Sequence, residues 1–194
     1  MKFANQDIKK QAFYIGLTLG AILLMINTLM LYFITITVHS LLIIAVVAPT
    51  ILSYIIPFAL IIVSCNLLRK RIGGYWNFKQ AATGIFILFV SAYLVSVGGR
   101  VILFNVIDKG LDGKVKAAYI TENAKVFNER HYPQSQVTTR VKDIKDMNFD
   151  GLGGNVTVAG ITEGIVTIIL ILFAASLLFA SFYKRELAVS PAKE

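Results

Sequence analysis

Charge is what this sequence has least of. Asp, Glu, Lys and Arg make up 15% of its 194 residues while apolar residues make up 56%, and a water-soluble domain of that size cannot clothe its core with so few charges. Cysteine is scarcer still. Cys65 stands alone inside an apolar run, so there is no intrachain disulfide framework, and the residue is expected to be a small buried apolar group. The two histidines, His39 and His131, are far apart and lack Cys or carboxylate companions at metal-ligand spacing, so no metal is expected. The apolar runs hold no paired Asp, no Ser–His set and no His-Glu-x-x-His, the groupings that intramembrane proteolysis needs. Gly151-Leu-Gly-Gly154 lacks the following Lys-Ser/Thr of a phosphate loop and is expected to be a linker. No catalytic residue, and no cofactor, is expected. The net charge of +8 would suit nucleic acid, but the basic residues flank apolar runs instead of forming one stripe, so no nucleic-acid partner is expected.

What the sequence does have is length without charge. Four apolar runs cover about residues 11–38, 41–68, 81–107 and 158–183, each long enough at 1.5 Å per residue to cross about 30 Å of hydrocarbon. The first follows Lys9 and Lys10, as a signal peptide would, but it exceeds the apolar core of about 7–15 residues that such peptides carry, and Phe33-Ile34-Thr35-Ile36 makes a poor cleavage site. It is expected to be a retained helix. The short link around His39 and Ser40 predicts that the first two helices are antiparallel neighbours. Pro49 and Pro57 lie within the second run, and a kink is expected near one of them. Arg69-Lys70-Arg71 stops that run, Gly73-Gly74 provides a turn, and Tyr75, Trp76 and Phe78 suit the headgroup layer. The fold class that follows is an all-α membrane protein, a single domain over residues 1–194, with four transmembrane helices.

Between the third and fourth runs lies a polar segment of about residues 108–157. Up to Asn155 its basic residues (Lys109, Lys114, Lys116, Lys125, Arg130, Arg140, Lys142, Lys145) are nearly balanced by acids (Asp108, Asp112, Glu122, Glu129, Asp143, Asp146, Asp150), which describes a solvated surface. Val115, Tyr119, Val126 and Phe127 share one helical face; Val137, Val141, Ile144 and Asn148 share another, with Pro133 and Ser135 as start signals. Two short amphipathic helices are expected there. Lys2, Lys9 and Lys10, then Arg69, Lys70, Arg71 and Lys79, then Lys184, Arg185 and Lys193 all fall on one side if the chain crosses four times. By the excess of basic residues on cytoplasmic loops, both termini are expected in the cytoplasm and the polar segment outside.

The stretch Gly73-Gly74-Tyr75-Trp76-Asn77-Phe78-Lys79-Gln80-Ala81, and the helix ending Phe104-Asn105-Val106-Ile107-Asp108, resemble the bacterial membrane proteins grouped as domain of unknown function 4199. Members of that family often have Pro after the acidic residue, where this chain has Lys109. The resemblance implies four membrane helices with a polar, partly helical segment between the third and fourth, in a bacterial inner membrane. It carries no catalytic residues and names no reaction.

Arg100 and Glu163 are the charges inside the third and fourth runs. A charge near the centre of a bilayer costs roughly 2.5–3.5 kcal/mol on insertion scales, so it is usually paired or functional. Both stand at similar depth from the outer side, which predicts a pair or a small polar cluster with Asn105; independent snorkelling to the interface and an ion or substrate pathway are the alternatives. Gly16 and Gly20 in the first run, and Gly160 and Gly164 in the fourth, form Gly-x-x-x-Gly faces, continued in the fourth by Ala174, Ser176, Ala180 and Ser181; such faces let helix backbones approach, within one chain or between two copies. Asn27 and Asn66 are expected to bond to neighbouring helices. The partners expected are the lipid bilayer and either a second copy or another protein meeting the segment 108–157. The leading functional expectation is a non-enzymatic assembly or partner-binding protein; a small transporter or channel component using Arg100 and Glu163 is the alternative, and a lipid-modifying enzyme a third.

Overall fold

Polar residues begin the first helix. α1 runs Asn5–Ile36, with Asp7 in its first turn, where a negative charge meets the positive end of the helix dipole. The helix therefore starts before the apolar run does, because Gln6 to Lys10 are helical too. The computed structural model describes residues 5–36, 51–129, 131, 133–146 and 158–184, and every described element longer than a turn is helical. Pro49, His39 and the link between the first two runs lie outside these residues. A π-helical turn, Ile51–Ile55, precedes α2, Ile56–Arg71. Pro57 is the second residue of α2. Proline offers no N–H to the carbonyl four residues back, and a wider turn is one way a helix absorbs the loss.

The turn after α2 is closed by Gly73 N–H to the Lys70 carbonyl (3.2 Å) and Gly74 N–H to the Arg69 carbonyl (2.9 Å). Gly73 and Gly74 have φ of 91° and 84°, a region that side chains with a Cβ disfavour. α3 follows at Phe78–Ile102. It starts three residues before the apolar run because Asn77 and Gln80 cap each other: Gln80 N–H donates to Asn77 Oδ1 (2.8 Å) and Asn77 N–H to Gln80 Oε1 (3.1 Å), a reciprocal capping box. α3 ends in a second π turn, Leu103–Ile107. The polar segment then folds as two helices, α4 (Leu111–Glu129) and α5 (Gln134–Asp146), which pack against each other. α6 spans Val158–Tyr183.

Three described helical stretches are long and apolar enough to cross a membrane: Gln6–Phe33, Phe78–Ile107 and Val166–Tyr183. The described part of α2, 16 residues, is about 24 Å long.

The chain divides into two compact units. In the first, which takes in described residues up to Ala21, Phe58–Val95 and those from Glu163 onward, α1 buries Ile8, Ala12, Ile15 and Leu19, spaced by three and four residues on one face. α3 buries Ala81, Gly84, Ile85, Leu88, Phe89, Ser91 and Ala92. From α6, Ser176 and Ala180 are fully buried, and Phe173 and Phe179 meet Phe86 and Phe89 edge to face at 5.8 and 5.5 Å. Phe58 of α2 meets Phe179 in the same way at 6.3 Å. In the second unit, Ile22–Pro57 and Ser96–Thr162, the core is Leu31, Leu103, Phe104, Leu111 and Val115, with Tyr32 and Tyr119 packed against it.

Candidate functional site

The densest polar junction among the described side chains is Asp108, between the second π turn and α4. Its N–H donates to the Leu103 carbonyl (2.8 Å), closing the π turn, and its carbonyl accepts Leu111 N–H (3.1 Å). Its carboxylate takes Gly110 N–H (3.2 Å), Lys114 Nζ (3.1 Å to Oδ2) and the Tyr32 hydroxyl (3.4 Å). An acidic group ahead of a helix satisfies donors that would otherwise lack partners and complements the dipole. The Lys114 hydrogen bond holds the carboxyl below the usual carboxylate range; partial loss of water opposes this, while the Lys114 charge, Gly110 N–H and Tyr32 hydroxyl reinforce it. One turn further, Lys116 pairs with Asp112 at 2.9 Å. Burial, with a smaller contribution from Tyr54, pushes the Tyr119 phenol upward.

The sign of the pH dependence follows from the lowered Asp108 value. A carboxyl that is more acidic when folded contributes stability that is fully present above the ordinary carboxylate range and lost as pH falls through the folded value. Hydrogen exchange at Gly110 to Val115 should therefore be slow and pH-independent, after correction for intrinsic rates, from neutral down to mildly acidic solution. It should quicken in stronger acid. Asp108→Asn should flatten that acid limb and leave the Lys116–Asp112 pair intact; an unchanged acid limb in the variant would assign the effect to another carboxylate.

Arg100 lies in α3, seven residues before Ile107 and so about 10 Å from that end of the span. Its Nε is buried and has no hydrogen-bond partner among the described residues. Glu163 lies in α6, but its side chain is outside the described residues, as is that of Gly160. Asn105, expected to join Arg100, instead donates from Nδ2 to the Val101 carbonyl of its own helix at 2.9 Å. Gly16 and Gly20 lie against α3: a Cβ at Gly16 would collide with Ser91 Oγ and stand 2.5 Å from the Leu88 carbonyl oxygen, and one at Gly20 would stand 2.6 Å from the Ala92 carbonyl oxygen. Gly164 has nothing within 4 Å of the corresponding position among the described residues; on α6 the small residues in buried contact are Ser176 and Ala180. Asn66 is exposed and Asn27 half-buried. Among the described residues no three His, Cys, Asp or Glu cluster as metal ligands would.

Two side-chain links have no precedent in the sequence patterns. Trp76 Nε1 donates to the Tyr183 carbonyl at 2.7 Å, and the Tyr183 hydroxyl donates to the Ile62 carbonyl at 3.2 Å. The turn after α2, the end of α6 and the middle of α2 are thereby joined within one unit. Trp76 is distinguishable in the sequence as the single tryptophan; the carbonyls that it and Tyr183 reach are not.

Membrane-length apolar helices and a folded polar segment, with the polar junctions used for bracing, define a helical membrane protein. The family model described as "Protein of unknown function (DUF4199)" matches residues 14–185, and the chain belongs to that family. Neither the curated proteins nor the solved structures provide a match.

Proposed function

We propose that the protein crosses the bacterial cytoplasmic membrane four times, with both termini in the cytoplasm, and works without catalysis as an assembly or partner-binding protein whose outer surface is the α4–α5 hairpin. The observation that carries this reading is the bracing of the hairpin. Leu111 and Val115 of α4 are fully buried against Leu31, Leu103 and Phe104, while α5 buries Ile144 and leaves Ser135, Gln136, Thr139, Arg140 and Asp143 exposed around a shallow hollow of about 340 Å³. A polar surface held rigidly binds a partner at lower entropic cost than a flexible loop. Support for the fourth crossing comes from α2 and the π turn that precedes it, and from the uncharged sequence of residues 41–50. Support for the orientation comes from Lys9, Lys10, Arg69, Lys70, Arg71, Lys79, Lys184 and Arg185, which fall on one side when the chain crosses four times. The test is co-purification from native membranes with the full chain and with Gln136→Lys/Arg140→Glu. A partner or second copy retained by the natural sequence and lost from the folded variant is the expected result; identical partners in both would overturn the reading.

Arg100 Nε, buried and without a hydrogen-bond partner among the described residues, favours a second reading, a transporter or channel component. In that case Arg100→Gln should alter flux in reconstituted vesicles with folding intact, whereas the assembly reading expects no flux to alter.

A further inference from the structure

A cavity of about 260 Å³ lies beside the first turns of α1 and α3, lined by Ile8, Lys9, Asn77, Lys79, Gln80 and Thr83. Its chemistry is one-sided. Two lysines, one from each helix, line it together with neutral amides and a hydroxyl, and among the described residues no carboxylate does. Neither lysine forms an ion pair among the described residues, in contrast to Lys114 and Lys116. The walls are fixed: Asn77 and Gln80 hold each other in the capping box, and behind them Ile8, Trp76 and Leu68 crowd Gly84 so closely that a Cβ there would meet Ile8 Cγ2 and Trp76 Cζ3 at 3.2 Å. The position in the membrane is equally defined. The apolar spans begin at Gln6 and Phe78, so Lys9 and Lys79 stand within about 5 Å of the span ends, at headgroup depth.

We propose that this cavity seats the phosphodiester of an anionic glycerophospholipid, with Lys9 and Lys79 as the two cationic contacts and Thr83 as a hydrogen-bond donor. An ammonium pair without carboxylates attracts a phosphate oxygen from either side. At this depth the phosphate in constant supply is that of a lipid, whose acyl chains then run along the apolar surface of the helices. The inference requires only that the spans cross a bilayer; it is independent of the outer hairpin's role.

Trp76, the single tryptophan, precedes the cavity-lining Asn77 and stands with Ile8, another lining residue, against Gly84, so it reports on the cavity. The full chain is reconstituted in phosphatidylcholine, and brominated phosphatidylglycerol or brominated phosphatidylcholine is added stepwise while Trp76 fluorescence is followed. The expected result is quenching at a lower mole fraction by the anionic lipid, with the half-point raised about fivefold for each of Lys9→Gln and Lys79→Gln. Lys9→Arg/Lys79→Arg should preserve the preference, and Thr83→Leu, which fills the cavity and keeps both charges, should weaken it. Lys10→Gln and Lys70→Gln each remove the same net charge outside the cavity; an equal loss in those variants would reduce the effect to general surface attraction and overturn the proposal. Release of quenching by excess inorganic phosphate would make free phosphate the occupant and overturn the lipid assignment. A preference unchanged in Thr83→Leu would overturn the cavity as the seat.

Discussion

Replacing Gly16 or Gly20 with leucine is expected to be among the most damaging single changes to the fold. The new side chain would have to occupy space held by α3 backbone, since the Leu88 and Ala92 carbonyl oxygens stand 2.5 and 2.6 Å from where the first carbon would go. A flexible side chain can swing aside; a helix backbone cannot without separating the two helices. The cost is about 3 kcal/mol, at the upper end of the usual range for overpacked cores, and it outweighs the gain of about 1 kcal/mol in helix propensity when glycine is replaced. The same substitution at Gly164 meets open space among the described residues and should leave the fold of the single chain intact. Unfolding titrations of the three variants in detergent check this. Equal stability across all three would show that α1 and α3 do not pack through these glycines.

Trp76→Ala is expected to destabilise the fold by a similar amount, about 3 kcal/mol. Trp76 is 2% exposed, so truncation leaves a cavity, and large-to-small changes of this kind cost about 3–5 kcal/mol in water-soluble cores. The lower figure applies here because Trp76 stands in the turn between α2 and α3, at the ends of both helices. The Tyr183 carbonyl also loses its donor at 2.7 Å. Trp76→Phe separates the two effects: it keeps most of the volume and should cost about 1 kcal/mol for the lost hydrogen bond. Circular dichroism during unfolding reads both variants, since neither retains tryptophan. If Trp76→Phe proved as damaging as Trp76→Ala, the hydrogen bond and not the packing would be the principal contribution.

The helices were legible in the sequence to the extent that the solvent argument reaches. Long uncharged runs identify segments suited to lipid, and those around α1, α3 and α6 are membrane-length helices. Helix ends were less legible, because apolarity stops where the headgroups begin while the backbone hydrogen bonding does not. α1 therefore extends back to Asn5. The early start of α3 had a local signal in Asn77-Phe-Lys-Gln80, the spacing of a capping box. α4 begins at Leu111, one turn before Val115 in the expected face, with Asp108 as the overlooked start signal. Pro133 does precede α5 directly, and its carbonyl accepts the N–H groups of Gln136 and Val137.

Which faces meet was harder to foresee. A helix that is apolar on all sides gives no amphipathic stripe to choose among: of the small residues expected to pack on α6, Ser176 and Ala180 are buried, while Gly164, Ala174 and Ser181 are exposed. The bond between Tyr32 and Asp108 joins residues 76 positions apart, and no local pattern encodes such a partner. For Arg100 and Glu163 the run of sequence supplied the position of each charge within its helix but not its neighbours; Asn105 bonds to a carbonyl one turn back in its own helix.

On its α3 side the α4–α5 hairpin is attached without slack. Only Asp108, Lys109 and Gly110 separate the π turn from α4, and Asp108 is tied to both sides of that gap and to Tyr32 of α1. Leu111 and Val115 then wedge against Leu31 and against Leu103 and Phe104. A force applied to the hairpin would not be spent in stretching a tether. It would be delivered as torque to the ends of α1 and α3 together, so this extramembrane piece is geared to two membrane helices.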